Sequence, residues 1–258
     1  MPSPTPQPQR PSRAFVFLPI AVAALSAVLA AQMIARDPRF AVPLLGFALL
    51  LFAPTFLGRL RMKRLLLSGD VERIIGSWAG SIDRVPFHET MGPLLQATAY
   101  ASYGWVEAAH RALDRAVKGP AWDAALEQRL FVEALLDAFE GERTAAIHKA
   151  EVLQVLPMPV GGPLARRRVA VLRRGLAALA RAFAHASVAG DASTLARAAG
   201  ASPLVHWAMR YAQAIVAVDG GRAADVSTLL AGAPSWPEAS AFHVFHGELL
   251  SRSPSAPA

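Results

Sequence analysis

Apolar residues are arranged in two different ways along this chain, and the change falls near Leu57. Before it lie two runs, 14–35 and 40–57, neither of which contains a charged residue. At about 1.5 Å per residue each run covers roughly the 30 Å hydrocarbon core of a bilayer, and the connector Arg36-Asp37-Pro38-Arg39 leaves room only for a tight turn. The pattern predicts a two-helix transmembrane hairpin over 14–57. After Leu57, apolar positions recur at helical spacing, broken by Gly and Pro, and no alternating stretch is long enough for a strand. Residues 58–252 are therefore expected to form one all-α domain. Five prolines within 1–13 and the Ser/Pro/Ala stretch 253–258 predict unpacked tails.

Within the helical part, glycine turns recur. Gly69, Gly104, Gly141, Gly190 and Gly221 lie 35, 37, 49 and 31 residues apart, which brackets the period of helix-pair solenoids. The most complete unit is Ala97–Pro120, where Ala97, Tyr100, Gly104, Ala109, Leu113, Ala116 and Pro120 resemble the tetratricopeptide repeat in order, with the proline one position early. Small residues at Ala97 and Ala109 allow two antiparallel helices to approach, and Gly104 permits the turn. The 16-residue step from Gly104 to Pro120 recurs from Gly141 to Pro157 and from Gly221 to Pro237. An irregular bundle whose glycines merely end helices is the alternative. Glu238–Arg252 is expected to cap the end of the stack.

The tetratricopeptide resemblance implies an α-solenoid whose first helices line a concave wall. On this register the wall carries Phe131, Leu135, Phe139, Tyr211 and Ile215, which are the expected partner-binding residues, and an apolar helix is the expected guest. One of the chain's own segments is the other possible occupant. The order of parts, a short hairpin, a basic helix and then repeats, is also similar to HemY-type membrane proteins associated with porphyrin metabolism. The expected function is thus a membrane-anchored helical-repeat scaffold that holds a protein partner at the cytoplasmic face of the bacterial inner membrane.

Charge supports the same topology. Of 26 basic residues, all but Lys63, Lys118 and Lys149 are arginine, and the net charge is +7. Arg10 and Arg13 precede the first run, and Arg59, Arg61, Lys63 and Arg64 follow the second, so both termini are expected on the cytoplasmic side. A cleaved secretory signal is the alternative for the first run, and it leaves 58–258 on that same side. No nucleic-acid partner is expected from the basic balance alone.

Candidate chemistry is sparse. The chain has no cysteine, which excludes disulfides and thiolate sites. His243 and His246, three apart, with His206 elsewhere, are the candidate metal ligands of a second reading as a metal-dependent membrane factor, but two or three histidines at this spacing do not close a site. Their interleaving with Phe242 and Phe245 fits a structural role. Arg166, Arg167, Arg168, Arg173 and Arg174 could meet anionic headgroups, the basis of a membrane-surface alternative, yet Val169, Leu172 and Leu176 on the same stretch make them the expected solvated side of a helix. No nucleophile elbow, phosphate loop or dinucleotide fingerprint occurs, so no catalytic, cofactor or metal residue is assigned, and the protein is not expected to be an enzyme.

Overall fold

A glycine in the left-handed region closes each of the predicted turns. Gly69, Gly104, Gly141, Gly190 and Gly221 have φ between 71 and 94°, a conformation that costs a residue with a Cβ roughly 1–2 kcal/mol. The computed structural model describes Gln32, Arg39 and residues 41–252. It divides into two compact units, Met1–Arg61 and Met62–Ala258, and the division falls within helix α1 (Ala41–Leu67).

The first unit corrects the membrane expectation. Among the described residues no helix is long and apolar enough to cross a membrane. The transmembrane hairpin, the multi-pass inner-membrane location with cytoplasmic termini, the membrane as a partner and the HemY-like layout built on them are withdrawn with it. The expected end of the second run at Leu57 is not an end. Arg59, Leu60, Arg61, Met62, Lys63 and Arg64 are all good helix formers, so α1 runs on through four basic residues until Ser68-Gly69 stops it. Its last residues, Leu65 and Leu66, pack against the core of the second unit to which they belong. The first run, 14–35, lies outside the described residues apart from Gln32, as do the tails 1–13 and 253–258.

The second unit is an all-α helical-repeat arrangement. It contains α2 (Val71–Ile82), α3 (His88–Ser102), α4 (Val106–Arg115), α5 (Pro120–Ala124), α6 (Leu126–Glu140) and α7 (Arg143–Val155), then α8 (Pro163–Phe183), α9 (Asp191–Ala201), α10 (His206–Asp219), α11 (Asp225–Leu229) and α12 (Ala241–Arg252). Hairpin pairs form between α3 and α4, α6 and α7, α8 and α9, and α10 and α11. The first helices of these pairs, α3, α6, α8 and α10, are also neighbours in series and make the inner wall. The long 49-residue step has a simple cause: α8 is 21 residues long and follows the open stretch 156–162.

Close approach is made with small side chains. Ala97, Ala109, Ala134, Ala146, Ala178 and Ala198 have no exposed surface where helices meet. Gly175 on α8 faces Ala198 on α9 so closely that an added Cβ would collide with the Ala198 methyl. Gly104 combines both demands, because it has φ +74° and a Cβ there would sit 3.1 Å from Ser240 Oγ and 3.2 Å from Phe242 Cδ1. Gly104→Val is expected to cost about 1–3 kcal/mol through overpacking, on top of the left-handed backbone. Gly141→Val, at φ +85° with nothing within 4 Å, carries the backbone cost alone, so urea denaturation should rank Gly104→Val as the more damaging.

Candidate functional site

The inner wall has two halves in two different states. The C-terminal ends of the first helices are covered by the chain's own α12. Ser240 Oγ donates to Tyr103 O (2.7 Å) and Ala241 N donates to Gly104 O (2.8 Å), which brings the start of α12 to the end of α3. Phe242 then stacks on Tyr211 of α10 (4.7 Å between ring centroids) and meets Phe139 of α6 edge-on at 5.3 Å. Phe245 lies 5.3 Å from Phe183 of α8. Phe242, Phe245 and Leu249, at i, i+3 and i+7, form one face of a helix. The expected cap at the end of the stack is therefore a helix laid across the wall, because that face of α12 packs against α6, α8 and α10 rather than against one helix.

Over the N-terminal ends of the same helices the wall is open. A groove of ≈640 Å³ lies there, lined by Met91 and Thr98 of α3, Gln128 and Phe131 of α6, and Leu172 and Arg173 of α8. Ala121, Ala124 and Ala125 form a low side, and Phe87 stands at the edge. Cavities of this size with mostly apolar walls and a few fixed polar groups are the usual form of a binding site.

The five wall residues expected from sequence are split between these halves. Phe131 lines the open groove. Leu135 and Tyr211 have no exposed surface, and Phe139 is nearly buried. Phe139 and Ile215 border a smaller ≈200 Å³ cleft beside Phe245 and Leu249. All five lie on α6 or α10, but α12 packs on the part of the wall that carries Phe139 and Tyr211 and borders the cleft at Ile215.

Arg173 departs from its expected solvated position. It is only 3% exposed, and its guanidinium donates to Glu127 Oε1 (3.0 Å), Leu156 O (2.5 Å) and Pro157 O (3.0 Å). The remaining members of the cluster, Arg166, Arg167, Arg168 and Arg174, are exposed. Val169, Leu172, Arg173 and Leu176 fall at i, i+3, i+4 and i+7, so helical periodicity itself puts Arg173 in the apolar stripe. Its ion pair with Glu127 leaves the groove without net charge.

The three histidines serve hydrogen bonds. His206 Nδ1 meets Ala199 O at 3.2 Å, and His243 Nδ1 meets Trp236 O at 3.0 Å. Trp236 Nε1 donates to Tyr211 Oη (2.6 Å), and the same hydroxyl is hydrogen-bonded to His246 Nδ1 (2.9 Å). Burial, followed by the charge of His243, holds His246 below the ordinary histidine range, and burial pushes the Tyr211 phenol up. Among the described residues no group of three or more His, Asp or Glu is arranged to hold a metal ion.

A pH dependence follows from the depressed His246. Because its folded value is depressed, its contribution to stability is full above the unfolded value of about 6.5 and is lost as pH falls through that value toward the folded one. Urea midpoints at pH 8 and pH 5.5 should therefore differ in the native chain. His246→Gln, whose amide still pairs with Tyr211 but does not titrate, should reduce that difference; an unchanged difference would show that His246 does not carry it.

No family model, no curated protein and no solved structure matches this chain. The tetratricopeptide resemblance thus extends as far as the helical-repeat arrangement itself.

Proposed function

We propose that residues 62–258 form a polypeptide-binding module, with the open half of the inner wall as its binding surface. The observation that carries this is the unequal covering of one wall. Four first helices present apolar side chains along their length, and the chain covers one end of that surface with its own helix while leaving a ≈640 Å³ groove at the other. The half-buried apolar surface of Met91, Phe131 and Leu172 in the groove is of the kind that binding partners bury.

A photo-crosslinking amino acid at position 131 tests this in cells. Covalent capture of a discrete polypeptide, identified by mass spectrometry, is expected from position 131 and not from position 155, since Val155, though 82% exposed, does not line the groove. Adducts that form equally from both positions, or from neither, would contradict the assignment.

A further inference from the structure

Phe87 is the least comfortable residue of the groove. It precedes the first turn of α3 with φ 58° and ψ 44°, in the left-handed region that bulky side chains rarely adopt, and no side-chain hydrogen bond caps the helix there. The residue is 72% exposed and borders the groove. A strained backbone that holds an aromatic ring in water contributes nothing to the fold that glycine would not contribute better. Neither Phe87 nor its conformation is signalled in the sequence, where Pro86-Phe87-His88 shows only a helix start.

Three further observations say what the ring waits for. The groove is walled by α3, α5, α6, α7, α8 and the short link before α10, and helix backbones have already spent their N–H and C=O groups internally. An extended peptide laid there would find no ladder to join and would leave its own backbone groups unpaired against apolar side chains. A helix arrives with those bonds made. The alanines of α5 let a helix backbone come close, and the charges of Arg173 and Glu127, paired with each other, cancel among the groove's lining residues, so neither an acidic nor a basic face is favoured. Finally, the covered half of the same wall already holds a helix, α12, through Phe242, Phe245 and Leu249.

Building on the polypeptide-binding function, we infer that the partner is an amphipathic helix with an uncharged apolar face, seated beside α12 with large side chains at i, i+3 or i+4, and i+7, and that Phe87 is the lip that closes over it against Phe131. Phe87 is a binding residue that supports no part of the folded core.

The test uses the full chain and two displayed peptide libraries, one patterned as amphipathic helices with neutral apolar faces and one interrupted by prolines so that its members stay extended. The helical library should yield binders, and Phe87→Gly should weaken them by about 30-fold, the size of a hot-spot loss, while leaving the urea midpoint unchanged or raised because glycine accepts the left-handed backbone. Phe131→Ala should weaken the same binders. Enrichment of the extended library alone would overturn the helix inference and leave polypeptide binding intact. Helical binders indifferent to Phe87→Gly would overturn the lip, and no binders from either library would overturn the polypeptide-binding function itself.

Discussion

Replacing Phe242 by alanine is expected to lower the unfolding free energy by about 3–5 kcal/mol, the range for removing a buried aromatic ring that its surroundings cannot collapse around. The ring has no exposed surface. It stacks on Tyr211 and meets Phe139 and Trp236 edge-on at centroid distances of 5.3 and 5.0 Å, so three residues from three parts of the chain lose contacts at once. Its backbone N–H, held by Ser240 Oγ at 3.2 Å, is not altered by the change. Val244→Ala on the same helix, at a position 53% exposed, should cost less than about 0.5 kcal/mol. Urea denaturation of both variants separates the cases. Similar, small effects would mean that α12 is not seated on the wall.

Arg173→Ala is expected to cost about 2–4 kcal/mol. The guanidinium makes three charge-assisted hydrogen bonds, two of them to the carbonyls of Leu156 and Pro157 that begin the link into α8. Removing it abandons both carbonyls, unpairs Glu127 and deletes a buried stem between α6 and α8. Glu127 is partly exposed, so water recovers some of its share. Arg173→Lys should recover only part of the loss, since one ammonium cannot reproduce a planar fork aimed at three acceptors. Arg174→Ala, one residue on and exposed, should be nearly neutral. Equal losses at 173 and 174 would show that the buried network does not carry the link.

The repeat arrangement was legible because turn chemistry is local. Five glycines read as turns all take positive φ, and the small residues read as close contacts, such as Ala97 and Ala109, are fully buried. What covers the wall was not legible, because a helix with an aromatic stripe reads the same whether it meets the end of a stack or its inner face. Only the contacts of Phe242 and Phe245 decide that. Arg173 was open to discovery, since its i+4 spacing from Val169 outranks its membership of a basic cluster. Phe87 was not, because left-handed backbone at a non-glycine residue has no sequence signal. The boundary near Leu57 failed for a related reason: charged residues mark a change of surroundings, yet Arg and Lys continue a helix as well as Leu does.

Hydrogen exchange on the full chain, with and without the polypeptide captured from position 131, tests the central claim most directly. Helix amides inside the first helices exchange only through opening, so a guest in the groove should slow exchange in segments spanning Met91–Thr98, Glu127–Phe131 and Val169–Arg173, and leave α4 and α9 unchanged. Slowed exchange confined to α4 and α9, with those three segments unaffected, would contradict the assignment of the inner wall as the binding surface.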